Sequence, residues 1–414
     1  MFTLYFVAYG IPPLLAAVAQ AMGYLSIAAA QFLLGWISDA KYTRWGRRKP
    51  YVLAFAPLLG ISFIFLLLPG LVLPDMQDKN ALFIWMLIWD ILFRISYAVT
   101  TPYQAWMAEQ FEVKDRPKVS QFQNTFNWIG NGLMAVVSLL ILTQVFNKIA
   151  AEPNVVPTEF LLITLIFGII VTGSFLLAIF IMPTEPKYEI KTNLIESLKI
   201  TVKNKNFMLV VLMQGISGFG WSIASTLMLT YAMVVLALGT MDYMIVAIFL
   251  LLGIFVFLYI WRKLIQKKGK KQVLLYIFLF AAISFPITLL GLIPMGSHLI
   301  LGIFFMLVIA LALAGWFLFP YIMYADLAED DEKRTGELKA GVYVGFPSLI
   351  LNVFQALGLL VLGLITSLPN ISVGTLNFSI GLVIWGPICS VILLVSYFFT
   401  KKYVTLDFDW EKTK

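Results

Sequence analysis

A single cysteine, Cys389, excludes an internal disulfide and any cysteine-rich metal site. A single histidine, His298, stands in the short stretch Met295-Gly296-Ser297-His298 and reads as a solvated turn residue. With one of each, a histidine–metal centre or a Ser-His-Asp triad has almost nothing to be built from, so neither an enzyme nor a resident cofactor is expected. Charge is scarce too. Only 12% of the 414 residues are Asp, Glu, Lys or Arg, and 61% are hydrophobic, whereas a soluble domain carries about 25% and about 45–50%. Those proportions describe a polytopic, all-α membrane protein.

Apolar stretches of about 20 residues cross a bilayer as helices. Eleven such spans are read at 12–38, 51–74, 81–106, 120–146, 159–183, 206–237, 243–264, 272–294, 298–325, 341–368 and 377–400. The formal charge of +7 invites a nucleic-acid partner, but the cations follow the spans. Twenty-six of 29 Lys and Arg lie in alternate connections: after the first span, at 107–119, 184–205, 262–271 and 326–340, and in the tail. The other connections hold Lys79 and Lys148, and Arg94 is inside a span. Cations are retained on the cytoplasmic side, so these loops and the C-terminus are expected there, in a multi-pass protein of the cytoplasmic membrane. No nucleic-acid partner is expected. The polar segment 184–205, with Leu194-Ile195-x-x-Leu198-x-Ile200, suggests an amphipathic helix along that face. It divides the chain into an N-terminal half (1–183) and a C-terminal half (206–400), followed by a tail (401–414).

The most distinctive stretch joins the first two spans: Gly35-Trp36-Ile37-Ser38-Asp39, then Lys41, Arg44, Arg47, Arg48 and Lys49 before Pro50. Asp39 ends a helix among arginines, where a carboxylate can be latched or released; the plainer reading is a topology signal alone. A weak internal repeat is found at Trp261–Lys271, with Gly269 among cations as Gly46 is. A second stretch, Tyr324-Ala325-Asp326-Leu327-Ala328-Glu329-Asp330-Asp331-Glu332-Lys333-Arg334-Thr335-Gly336, reads as a loop over 326–340. Its acids stand on the basic side and could pair with the basic hairpins.

Ionisable groups deep in a span are costly and usually functional. Asp90 and Arg94 are the two clear cases, four apart and on one helical face. They are either a cavity-facing pair that responds to substrate or proton, or a static pin between helices. Asn124, Asn127 and Asn131 follow i, i+3, i+7. Amides suit sugar hydroxyls and Trp128 could stack on a pyranose, but amides also join helices in membranes. Asn352, Gln355, Gln214, Trp221 and Trp316 are further candidates, each more readily explained by packing.

Three motifs carry a resemblance. They are Gly35…Asp39…Arg44-Trp45-Gly46-Arg47-Arg48-Lys49-Pro50, Thr101-Pro102-Tyr103-Gln104-Ala105-Trp106-Met107-Ala108-Glu109 with Asp115-Arg116-x-x-x-Ser120, and Asp326 through Arg334-Thr335-Gly336 to Gly341-x-Tyr343. Together they resemble the glycoside–pentoside–hexuronide symporters of the major facilitator superfamily. The resemblance implies two six-helix halves that rock about a midplane site. Met1–Gly10 would then be the stub of a truncated first helix, with Gly10-Ile11-Pro12-Pro13 as the turn after it; the alternative is a natural eleven-helix chain. It also implies secondary active transport of a sugar or glycoside by what is expected to be a monomer. A lysophospholipid carrier or a transport-inactive sensor on the same fold are the alternatives. In the melibiose permeases of this family, charged site positions fall here on Ile27, Gln31, Thr100 and Asn124 or Thr125. Every one is uncharged in this chain. That argues against sodium and for a co-transported proton, or for uncoupled transport. The residues expected at the substrate and coupling site are Asp90, Arg94, Asn127, Asn131, Trp128, Gln31, Thr100 and Gln355. Those expected to gate are Asp39, Arg44, Arg47, Arg48, Asp326 and Arg334.

Overall fold

The computed structural model describes residues 11–413 except 12, 138–144, 146, 147, 150, 153, 184, 186, 188–192 and 295–297. Met1–Gly10, expected to be a helix stub, and Met295-Gly296-Ser297 lie outside the described residues. The helices are α1 Pro13–Ala40, α2 Lys49–Leu67, α3 Lys79–Tyr97, α4 Thr100–Gln110, α5 Arg116–Val137, α6 Thr158–Ile181 and α7 Leu194–Lys203. They continue with α8 Lys205–Thr230, α9 Thr240–Lys268, α10 Lys270–Ser284, α11 Leu299–Thr335, α12 Ala340–Thr366 and α13 Gly381–Tyr403. A helix falls within each of the eleven ranges read from the sequence. Among the described residues, eight spans are long and apolar enough to cross a bilayer: α2, α3 with α4, α6, α8, α9, α10, α11 and α13. In α1 and α12 the apolar stretches are shorter, Leu25–Ala40 and Ala340–Gln355. The chain is an integral, multi-pass membrane protein.

Several expectations are corrected in detail. The span expected at 81–106 breaks between Tyr97 and Thr100, because Pro102 cannot donate to the Ala98 carbonyl and its ring crowds it. Near Pro286 the helix over 272–294 tightens to a 3-10 turn, Phe285–Leu292. The expected loop 326–340 is helical as far as Thr335. Its acids are drawn into ion pairs rather than left to repel one another, and Gly336 (φ +77°) ends the helix, its N–H donating to Glu332 O at 2.7 Å. The last span was expected from 377, but Leu376–Ser379 is a strand, β2, paired antiparallel with β1, Asn370–Val373. Alternating Leu376, Asn377, Phe378 and Ser379 carry the period of two that marks a strand, and Phe378 is the buried member. Gly374 (φ +61°) makes the turn.

Two compact units are built from these elements. One takes the chain up to Gln110, Ile129–Ser197 and Asp331–Leu349; the other takes Phe111–Trp128, Leu198–Asp330 and Ile350–Lys414. In the first, α1 packs on α3, and α2 packs on both α3 and α6. Its core includes Leu66, Leu82, Met86 and Phe160. Close approach of α2 and α6 depends on Gly60, where a Cβ would meet the Gly168 carbonyl and Thr172 Oγ1. In the second unit, α13 packs on α8 and α10. Trp221 stacks on Trp316 there, with ring centroids 6.0 Å apart, and Phe278 and Phe285 close around them. These tryptophans are packing residues.

Gly60→Leu should overpack the α2–α6 contact and cost about 1–3 kcal/mol. Gly130, with nothing within 4 Å of a built Cβ, should accept Leu with a change of about 0.5 kcal/mol or less. Thermal unfolding in detergent, followed by tryptophan fluorescence, checks the contrast.

Candidate functional site

Inside the membrane, α3 carries Asp90 and Arg94 one turn apart, with Arg94 Nε 3.4 Å from Asp90 Oδ1. Asp90 is 1% exposed, and its Oδ2 has no hydrogen-bond partner among the described residues. That oxygen lies against Gly23 of α1, where a Cβ would overlap it. A carboxylate so enclosed has one oxygen paired and the other enclosed against a neighbouring helix. Nearer the basic loops, Gln31 of α1 donates through Nε2 to Thr100 Oγ1 of α4 at 3.4 Å.

At the end carrying the basic hairpin, the first unit buries a cluster of charge. Arg48 lies 2.5 Å from Asp39 Oδ1 and 2.6 Å from Glu109 Oε1, all three side chains being fully enclosed. It also donates to Ser38 Oγ at 2.6 Å. Arg47 donates to the same Glu109 oxygen and, at 3.4 Å, to Leu338 O. Burial works against the charge on Arg48, but the carboxylates of Asp39 and Glu109 outweigh it and raise the pKa of the guanidinium. Asp39 accepts in addition from the backbone N–H of Gly341 (3.0 Å) and Val342 (2.9 Å). These amides belong to the first turn of α12, where the helix dipole favours an anion. Gly35, one turn earlier in α1, packs directly on Gly341.

Glu185, just beyond α6, completes this cluster. It accepts from the N–H of Arg47 (3.3 Å) and Arg48 (3.1 Å), and from Trp106 Nε1 at 2.9 Å. Gly46, at φ +105°, turns the chain so that those amides point at it, and a Cβ there would strike the carboxylate.

The second unit repeats the device. Gly269, at φ +86°, precedes α10, and Asp407 accepts from the N–H of Lys270 (2.7 Å) and Lys271 (3.2 Å). Glu185 stands four residues after the end of α6, and Asp407 four after the end of α13. Around this turn, Arg116 binds Asp326 and Glu329, each at 2.6 Å, and Lys270 binds Asp326 and Glu411, each at 2.6 Å. Asp326 thus bridges two cations, one from the 107–119 connection and one from the 262–271 segment. The acidic stretch pairs with basic segments, as its position suggested.

The expected gating residues do not form one group. Asp39, Arg47 and Arg48 meet in the first cluster, and Asp326 belongs to the second. Arg44 is exposed, its guanidinium 5.0 Å from the Trp45 ring centroid, and Arg334 is exposed in the last turn of α11. Of the expected substrate residues, Asp90 is paired with Arg94, and Gln31 with Thr100. On α5, Asn127 and Asn131 are exposed, while Trp128 is half-buried edge-on to Phe317 at 5.6 Å. Gln355 is half-buried on α12. Asn124 is buried and donates to Phe317 O at 2.9 Å, a packing role. Glu185, Lys270, Asp407 and Glu411 escaped the sequence reading because acids and lysines beside a helix end look solvated. For Glu185 and Asp407 the equal spacing emerges only with the observed ends of α6 and α13, which the sequence placed at 183 and 400.

Two buried charge clusters at helix ends and one intramembrane ion pair thus sit on a frame of membrane-spanning helices. A family model described as MFS/sugar transport protein matches residues 1–399, and the chain belongs to that family of the major facilitator superfamily. Solved structures of similar fold include the major facilitator transporter FucP in the outward conformation (14% identity, 98% of this chain and 97% of that one, TM-score 0.65). Another is the proton:xylose symporter XylE bound to 6-bromo-6-deoxy-D-glucose (15% identity, 97% and 90%, TM-score 0.70). A third is a bacterial homologue of the iron transporter ferroportin in the outward-facing state (12% identity, 97% and 93%, TM-score 0.64). At such identities the likeness is one of fold. A comparison with curated proteins returned no match.

Truncating Arg48 to Ala leaves Asp39 and Glu109 facing each other without their shared cation, and should cost about 3–5 kcal/mol. The double change Arg48→Met with Glu109→Met should recover part of that loss in a double-mutant cycle of thermal stability. Glu411 gives a pH test. Burial raises its carboxyl above the ordinary value, against the pull of Lys270. A raised pKa adds stability below the unfolded value of about 4.3, and that stability is lost as pH rises through the folded pKa. The stability of Glu411→Gln relative to the parent should therefore improve as pH rises above about 4.3, read as the difference in unfolding midpoints.

Proposed function

We propose that the protein moves an uncharged sugar or glycoside across the cytoplasmic membrane by alternating access, coupled to a proton carried on Asp90. The observation that carries the coupling is the buried Asp90 carboxylate, which has one oxygen ion-paired to Arg94 and the other without a partner among the described residues. Protonation removes the cost of the unsatisfied oxygen and weakens the hold of Arg94. Arg94 is then free to turn to a substrate oxygen, which ties proton uptake to cargo binding. Sodium fits poorly. It needs several oxygen ligands, and the positions that resemble the family's cation acids hold Ile27 and Gln31. An uncharged cargo suits the amides and hydroxyls offered by Gln31, Thr100, Asn127, Asn131 and Gln355, with Trp128 as a stacking surface.

The two ion-pair clusters serve as latches on the cytoplasmic side, where the positive-inside rule puts the loops that supply them. Closing them pairs Arg48 with Asp39 and Glu109, and Asp326 with Arg116 and Lys270; opening them hydrates those charges again. Such a trade is near balance, which is the condition for a gate that works in both directions.

Uptake of labelled sugars into vesicles under imposed proton and sodium gradients tests the reading. Accumulation should follow the proton gradient, and Asp90→Asn should abolish accumulation while leaving the protein folded. Unchanged proton dependence in Asp90→Asn would sink the assignment, and movement of a lysolipid without any sugar would change the cargo.

A further inference from the structure

Helix α9 has a fixed rotation. Val246, Leu250, Ile254, Leu258, Trp261 and Ile265 follow one another at spacings of three or four, and all are buried. Trp261 locks that face, its Nε1 donating to Leu311 O of α11 at 2.8 Å. A residue two positions along stands about 200° around a helix, so Lys263 lies on the opposite side. There Ile245, Ile248, Leu252, Val256 and Tyr259 form an exposed stripe with the same spacing, and the exposed Lys263 and Lys267 continue it. On a membrane-spanning helix an exposed apolar stripe is the face turned to acyl chains.

The cations at the end of that stripe stand at a defined depth. Counted from Tyr243, just past Asp242, about 20 residues at ~1.5 Å each reach Lys263, and that is the ~30 Å of a hydrocarbon core. Arg262 and Lys263 therefore fall at the level of the lipid phosphates, with Lys267 a turn beyond. Tyr259 falls just inside, where an amphipathic ring is at home.

One ring gathers two like charges here. Arg262 Cζ is 5.0 Å from the Tyr259 ring centroid, and Lys263 Nζ is 5.9 Å from the same point. Arg262 is half-buried, and its Nε is enclosed without a hydrogen-bond partner among the described residues. Neither cation is paired with a carboxylate among the described residues, whereas nearby Lys270 binds two. Two cations held together repel, and an anion shared between them removes that cost.

We propose that Arg262, Lys263 and Tyr259 form the headgroup site of an anionic phospholipid, with its acyl chain laid along Val256, Leu252 and Ile248. The inference is independent of the cargo and of the proton on Asp90. A guanidinium takes two phosphate oxygens side by side, and an ammonium adds a compact point charge. A soluble phosphate would match the cations and leave the apolar stripe unused. A zwitterionic lipid would bring a third cation to a place that already holds two. An anionic lipid meets both parts of the surface. The alternation of the cations puts this end of α9 in the cytoplasmic leaflet, where anionic lipids give the surface its negative potential.

Helix α13 supplies an internal comparison. Val391, Val395 and Phe398 are exposed along it, and Lys401 and Lys402 stand at its end. Each of those lysines meets a different ring, Tyr397 at 5.8 Å and Tyr403 at 5.2 Å. Charge is present there without the gathering.

Native mass spectrometry of the full chain in detergent, titrated with phosphatidylglycerol or with phosphatidylcholine of the same acyl chains, tests the site. Phosphatidylglycerol should bind the parent about tenfold more tightly than phosphatidylcholine. Arg262→Gln with Lys263→Gln should remove about that factor and leave phosphatidylcholine unchanged. Lys401→Gln with Lys402→Gln, which removes the same charge from α13, should change phosphatidylglycerol binding less than twofold. Inorganic phosphate at the lipid's concentration should not compete. Should the α9 double variant fail to fold, the parent's preference between the two lipids and its reduction in Tyr259→Leu, which keeps an apolar side chain, still decide. Equal binding of the two lipids overturns the proposal. So does an equal loss from both double variants, which would mean general attraction to basic helix ends. Displacement by inorganic phosphate would give the cations to a soluble anion. A dimer that persists without lipid and is lost in the α9 variant would give the face to a second copy of the chain; either result overturns the lipid assignment.

Discussion

A charge taken out of water must be matched by another charge or by fixed dipoles, and the basic end of this protein is arranged around that requirement. Arg48 is enclosed between Asp39 and Glu109, and each of those acids is tied to something else. Asp39 caps α12, and Glu109 also takes Arg47. Removing water from such a group costs several kcal/mol per ion, returned only when every partner is in place. In the structure every one of these partners is in place.

The second cluster meets the same requirement with different residues. A glycine of positive φ exposes two successive amides at the start of a helix, and a carboxylate four residues past another helix receives them. Gly46 with Glu185, and Gly269 with Asp407, do this in turn. The partners differ: Glu109 is shared by two arginines, whereas Asp326 is shared by Arg116 and Lys270. An internal repeat that is faint in sequence is thus clear in hydrogen bonding, because the backbone conformation is what recurs.

Membrane interiors make the rest of the chemistry sparse. Asp90 and Arg94 were legible as a pair because a lone acid or base is too costly to keep in an apolar helix, while two of opposite sign four apart offset each other. Their surroundings were not legible. Gly23 is one glycine among 28, and its seat against Asp90 depends on how two helices cross. Gln31 and Thr100, 69 residues apart, were singled out by resemblance, while their hydrogen bond required α1 and α4 to be laid side by side.

The sequence alone determined the solvent and the class of fold: twenty-residue apolar stretches, cations confined to alternate connections and motifs in a fixed order admit few other outcomes. It also singled out Asp39, Arg47, Arg48, Asp90, Arg94 and Asp326 as charged residues in unusual places. Tertiary structure decided which of them meet. It extended α11 through an acidic run that reads as a loop, since Arg116 and Lys270 offset the repulsion among its carboxylates. It also enclosed Glu185, whose local sequence looks solvated, because two backbone amides from a turn about 140 residues earlier needed an acceptor. Local sequence fixes what a segment can bury; only the packed chain settles what it is buried against.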